Sequence, residues 1–263
     1  MSINALVAAP TMWQVSVPSS GTQTMRETTQ LMRLTNAALI PAAMSTICAV
    51  VYSCSKYPDG RRTWAPHGAL LEIIWSAAPA ALLASMCATS LRVLKYQLHT
   101  TDKPFTTVKV VAHQWHWQYE FNIKGRRLVY NSNMLPDDRR AALTKTNLMK
   151  YPKLLATDYE LVLPERRVVR LLITSSDVIH SFCVPAFGVK VDAIPGKVNI
   201  AWIKALRSGL YYGQCSEFCG RNHSFMPIAV RVVDQRAFAR WATSALQNLD
   251  NAFSEVAKCS HLN

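Results

Sequence analysis

The chain has 263 residues, enough for one large domain or two small ones, and is 50% hydrophobic, which excludes a disordered or collagen-like polymer. Its net charge of +13 raises nucleic acid or an anionic surface as a partner, but the bases are scattered with no long run of like charge. That pattern reads as a solvated face, and no nucleic acid is expected.

Residues 1–33 form a polar tail rich in Ser and Thr, whose only bases are Arg26 and Arg33. That is too little arginine for a transit peptide; a processed leader is the alternative. Residues 34–96 follow as a helical hairpin. No charge occurs from Leu34 to Cys54, and only Glu72 from Leu70 to Leu91, so each stretch gives ~30 Å of helix, the thickness of a hydrocarbon layer. Two membrane spans are therefore expected, with two buried helices of a soluble protein as the alternative. Pro58, Asp59 and Gly60 lie between them and signal a turn. The loop offers Lys56, Arg61 and Arg62 against Asp59 and the other side Arg26, Arg33, Arg92, Lys95 and Lys103, a count that leaves the orientation open.

Residues 97–233 change character to short β-prone runs separated by Gly and Pro, the pattern of a β-sandwich or barrel. The first run, TVKVVAHQWHWQYEF, reads as a strand with Trp115, Trp117 and Tyr119 on one aromatic face. The last, PIAVRVV, alternates Ile228, Val230 and Val232 with Ala229, Arg231 and Val233, as a strand with one buried face requires. In residues 234–263, Asp234 is placed as an N-cap, and Phe238, Trp241, Ala245 and Leu249 recur at helical spacing. A single amphipathic helix is expected to close the chain.

Of the seven cysteines, only two form a close pair. Cys215, Cys219, His223 and Met226 follow one another at spacings of four, four and three, and His180 arrives from an earlier strand end. Thiolate and thioether are soft donors and imidazole is borderline, a set that favours copper over hard cations. A zinc site of Cys215, Cys219, His180 and His223 is the structural alternative, but it has no use for Met226 and its histidines lie far apart in sequence. A mononuclear copper site leaves one thiol unexplained. Two thiolates bridging two coppers use every donor, and an electron shared over two metals lowers the reorganisation on reduction.

GQCSEFCGRNHSFMP, DVIHSF, PAFGVKVDAIPGK and HQWHWQYEF resemble the cytochrome c oxidase subunit II family over roughly residues 34–246. The resemblance implies a membrane α plus all-β fold: a two-helix transmembrane hairpin, a cupredoxin-like Greek-key β-sandwich with the binuclear copper A site, and a C-terminal helix. It also implies the function of an electron-input subunit, which takes electrons from cytochrome c and passes them to the haem centre of the catalytic subunit, where O2 is reduced with proton pumping. Cys215 and Cys219 would bridge the coppers, His180 and His223 would be terminal ligands, and Met226 and the carbonyl of Glu217 axial ones. The Glu217 carboxylate would reach a magnesium ion shared with the catalytic subunit. Trp115 would be the surface indole that receives the electron, and Glu72 would mark the mouth of a proton path, which turns the hairpin loop to the matrix or cytoplasm. Partners would be cytochrome c, subunit I and the other complex IV subunits. The location would be the mitochondrial inner membrane, copper domain in the intermembrane space, with the bacterial plasma membrane as the alternative. This chain departs from the family at His116, between the tryptophans, and in the basic Lys124, Arg126 and Arg127, which would repel a basic cytochrome. Residues 136–157 look longer and more basic than their family counterpart and read as a loop inserted for contact with a neighbouring subunit.

Overall fold

A computed structural model describes residues 19–57, 68–98, 103–144 and 151–259. The chain divides into a helical unit, residues 27–96, and a second unit that joins residues 97–263 to the segment ending at Arg26. The helical unit holds most of α1 (Gln23–Lys56) and α2 (Ala69–Leu98), each containing its proline, Pro41 and Pro79. Both are long and apolar enough to cross a membrane, and none of their apolar windows is buried by protein. A helix tolerates internal proline when neighbouring helices or local backbone adjustments satisfy the freed groups. The expected turn at Pro58–Gly60 lies outside the described residues.

The β unit is a sandwich of two five-stranded sheets. The first, in the order β3-β2-β1-β5-β8, contains β1 (Thr106–His113), β2 (His116–Ile123), β3 (Arg126–Ser132), β5 (Val168–Ser175) and β8 (Asn199–Lys204). The second, in the order β4-β10-β9-β6-β7, contains β4 (Leu161–Pro164), β6 (His180–Val184), β7 (Val189–Ala193), β9 (Gly209–Cys215) and β10 (Pro227–Val233). Most neighbours are antiparallel; β1 with β5 and β4 with β10 are parallel. Between the sheets Trp117, Tyr119 and Phe121 of β2 meet Leu171, Ile173, Phe182, Val184 and Val230, all almost completely buried. Alternating apolar positions on strands of both sheets thus interdigitate as one core.

Four expectations are corrected. The run from Thr107 to Phe121 belongs to two strands paired antiparallel, with His113 opposite His116, so Trp115 sits in the connecting turn and, of the three aromatics, only Trp117 and Tyr119 lie on the strand's buried face. The closing helix is two: α4 (Gln235–Ala245), capped by Asp234 as expected, and α5 (Leu249–Cys259). Asn248 accepts from the Asn251 N–H at 3.0 Å and restarts the helix. Residues 136–157 begin with a helix, α3 (Asp137–Thr144), whose two opening acids suit its N-terminus. Finally, β10 is buried on both faces.

The second face of β10 is covered from outside. Leu155 packs on Leu210, Tyr212 and Ala229, and Arg231 forms a buried double hydrogen bond with Glu160. The segment is stitched down at its ends, where Met134 bridges Thr157 and the Leu135 N–H donates to Ala156 at 2.8 Å. Residues 151–157 are thus a cover for the second sheet.

The stretch before α1 is also part of the β unit. Gly21 donates to the Ala186 carbonyl at 2.7 Å and accepts from Leu206 at 2.8 Å, while the Thr22 hydroxyl donates to the Phe187 carbonyl at 2.7 Å.

Candidate metal centre

The cluster forms where two neighbouring strands of the second sheet end. β6 begins with His180, β9 ends with Cys215, and Phe182 of the first pairs with Cys215 of the second. The loop from Cys215 to Met226 then folds back on itself through a short 3-10 turn at His223–Phe225 before β10 begins. Gly213 lets the strands meet, since a Cβ there would stand 2.0 Å from the Cys183 carbonyl oxygen.

All six expected donors fall in one connected group. Cys215 Sγ lies 3.9 Å from Cys219 Sγ, 3.8 Å from His180 Nδ1 and 3.4 Å from the Glu217 carbonyl oxygen. Cys219 Sγ lies 3.4 Å from His223 Nδ1 and 3.5 Å from Met226 Sδ. Each sulfur is thus flanked by one imidazole and one weaker donor, with the thiol pair between them. His180, Cys215, Cys219 and Met226 are buried, His223 is half-buried, and Glu217 turns its carboxylate to solvent.

The electrostatics ask for a cation. Burial works to raise the Cys215 thiol, but hydrogen bonds led by that of His180 outweigh it and bring it down to about 7. Burial and then the charge of Cys215 push Cys219 up to about 12. Two thiolates this close do not both ionise alone; a positive metal between them removes the conflict. Soft sulfur, borderline nitrogen and a thioether fit copper.

Four neighbours support the group. The Trp117 indole N–H donates to the Met226 carbonyl at 3.2 Å, and its ring stands edge-on to Phe182 at 5.3 Å. Trp115 is half-buried beside the Cys219–His223 loop. Gly220, at φ +115°, leaves room for it, since a Cβ there would stand 3.3 Å from its ring. Asp177 accepts from His180 Nε2 at 2.8 Å, which fixes the proton on that nitrogen and turns the Nδ1 lone pair to the sulfur. Asp177 and Gln114, whose side chain donates to the Cys219 carbonyl at 2.8 Å, were missed in the sequence. Only the Asp-x-x-His spacing could have flagged the first.

The basic trio does not border this end. His116 opens β2 beside the cluster, whereas Lys124 and Gly125 turn the chain at its far end, ~3.3 Å per residue or roughly 26 Å away over eight residues. Arg127 is also paired with Glu120 at 2.7 Å. The charges that act on His116 are those of His113, Asp177 and Asp158. Glu72, in the helical unit, is exposed in the first turn of α2.

A family model described as cytochrome c oxidase subunit II, periplasmic domain, matches residues 106–233. A probable cytochrome c oxidase subunit 2 of Rickettsia felis is 35% identical over 256 residues, covering 93% of this chain and 76% of that protein. A probable cytochrome c oxidase subunit 2 of Rickettsia bellii is 39% identical over 207 residues, covering 74% of this chain and 70% of that one. The crystal structure of the periplasmic domain of subunit II of cytochrome oxidase of Bradyrhizobium japonicum superposes with a TM-score of 0.50 at 42% identity, covering 57% of this chain and 99% of that chain.

Proposed function

Since the chain belongs to the cytochrome c oxidase subunit II family, we propose that it is the electron-input subunit of the oxidase, taking electrons from cytochrome c for delivery to the haem centre of subunit I. The observation that carries this reading is the meeting of His180, Cys215, Glu217 O, Cys219, His223 and Met226 in one connected group. Bound there, a binuclear copper A centre supplies a one-electron relay with the charge spread over two metals. His180, Cys215, Cys219, His223, Met226 and the Glu217 carbonyl would hold it. Met226, 3.5 Å from Cys219 Sγ, favours copper over zinc. The exposed Glu217 carboxylate is free to offer an oxygen to a magnesium ion shared with subunit I, the hard-cation chemistry that suits it.

The protein residues do the rest. Trp115 offers an indole beside the ligand loop, and Asp158 and Asp177 place negative charge near His116, of the sign that attracts a basic cytochrome c. The basic trio lies towards the far end of β2, about two screening lengths of ~10 Å away, which weakens the repulsion expected from the sequence. Burial of the thiols excludes water from the donor set. Glu72 would mark the mouth of a proton path at the start of α2. The relatives named above are bacterial, which favours the plasma membrane with a periplasmic copper domain over the mitochondrial inner membrane.

Stopped-flow reduction of the assembled oxidase by cytochrome c tests the role of Trp115. Trp115→Gln leaves the copper spectrum intact and slows reduction sharply, because an amide supplies neither the contact surface nor the low-lying orbitals of the indole. An unchanged rate removes Trp115 from the route.

A further inference from the structure

We propose that Gln114 and Asp177 form a two-armed bridge that fixes the Trp115 turn to the metal cluster at His180 and at Cys219, and that Asp177, through His180, sets the reduction potential of the centre. The inference rests on the copper reading above and deepens it by naming two positioning residues outside the donor set. Gln114 immediately precedes Trp115 in the β1–β2 turn. Its backbone N–H donates to Asp177 Oδ2 at 2.6 Å, and its side-chain Nε2 donates to the Cys219 carbonyl at 2.8 Å. The other carboxylate oxygen, Asp177 Oδ1, accepts from His180 Nε2 at 2.8 Å and from the Val178 N–H at 2.6 Å. The Ser175 hydroxyl adds a third bond to Oδ1 at 3.2 Å. One residue therefore ties the turn to His180 through a carboxylate and to Cys219 through a carboxamide. Its amide nitrogen would stand 3.2 Å from a Cβ at Gly220, so that glycine leaves space for the second arm.

The six donors need neither residue in order to hold a metal, so the bridge acts on geometry and electronics. A carboxylate accepting from an imidazole N–H makes the ring a stronger donor through its other nitrogen. A stronger donor favours the more positive, oxidised metal, so the carboxylate lowers the potential. The carboxamide arm holds the indole against the ligand loop, and electron transfer weakens steeply when that contact opens.

The test uses the whole oxidase carrying Asp177→Asn, Asp177→Glu or Gln114→Leu, with copper content, optical spectrum, reduction potential and steady-state kinetics measured on each. Wild type with two coppers is the precondition; if it lacks them, the copper reading has failed before any variant is compared. In Asp177→Asn copper affinity falls by about 10–100-fold, copper is restored by added metal, and the potential rises. Asp177→Glu, which keeps the carboxylate, restores a potential near wild type. Gln114→Leu retains both coppers, alters the sulfur-to-copper absorption and lowers kcat. An unchanged potential in Asp177→Asn with only a raised KM for cytochrome c would mean a docking role and overturn the proposal. So would irreversible loss of copper in both Asp177 variants, or a Gln114→Leu protein with wild-type spectrum and kcat.

Discussion

Trp117→Phe separates the two tryptophans by what each supports. Trp117 is completely buried, packs edge-on against Phe182 and His180, and holds the Met226 carbonyl through its indole N–H. Phenylalanine keeps a ring but loses the five-membered portion, about two carbon positions at ~0.8 kcal/mol each. The lost hydrogen bond adds about 1 kcal/mol, since a buried carbonyl is left without its donor. The sum is about 2–3 kcal/mol, which in a β unit of this size lowers the melting temperature by roughly 5–10 °C. Thermal unfolding of the full chain in detergent, followed by near-ultraviolet circular dichroism with and without copper, reads it. Because Met226 follows the loop, the copper-loaded protein should lose at least as much as the copper-free one. A variant with unchanged melting but slowed reduction by cytochrome c would refute this division of labour and make Trp117 a route residue.

Two further predictions concern residues outside the donor set. Glu160 and Arg231 form a buried pair under the segment that covers the second sheet. Glu160→Gln or Arg231→Met alone should destabilise by about 3–5 kcal/mol, while Glu160→Leu with Arg231→Met should return most of it; denaturant titration of the double-mutant cycle decides, and additive losses would contradict the pairing. His116 is stacked on His113 with ring centroids 4.7 Å apart. Burial, followed by His113, lowers its pKa from the ordinary 6.5. A base with a lowered folded pKa stabilises the fold above the ordinary value and loses that contribution as the pH falls through the folded one. Melting temperature should therefore fall more steeply below about pH 6.5 in wild type than in His116→Phe; equal slopes would show that His116 is not the group responsible.

Much of this was legible in the residues. The apolar runs at 34–54 and 70–91, the short strands and the Asp234 cap follow from spacing and propensity, and the donor cluster announced itself by the crowding of Cys215, Cys219, His223 and Met226. The turn at Gln114 and Trp115 was not, because HQWHW contains none of the Gly, Pro, Asn or Asp that usually punctuate a hairpin. Pro136 followed by two aspartates is a helix-start signal that a reading of the segment as inserted loop overrode. Asn248 likewise marked the restart that splits the C-terminal helix. Pairs such as Glu160 with Arg231, or Gln114 with Cys219, join residues far apart in the chain and depend on the register of strands that local pattern does not fix. The distance of the basic trio from the cluster likewise became visible only once the strand direction was known.

Copper stoichiometry is the most direct test of the donor cluster. Elemental analysis of the purified full chain, loaded with copper and freed of excess metal, should give two coppers per chain and little zinc, with both lost in Cys215→Ser. One equivalent of metal, a preference for zinc, or two coppers retained without Cys215 would contradict a thiolate-bridged pair.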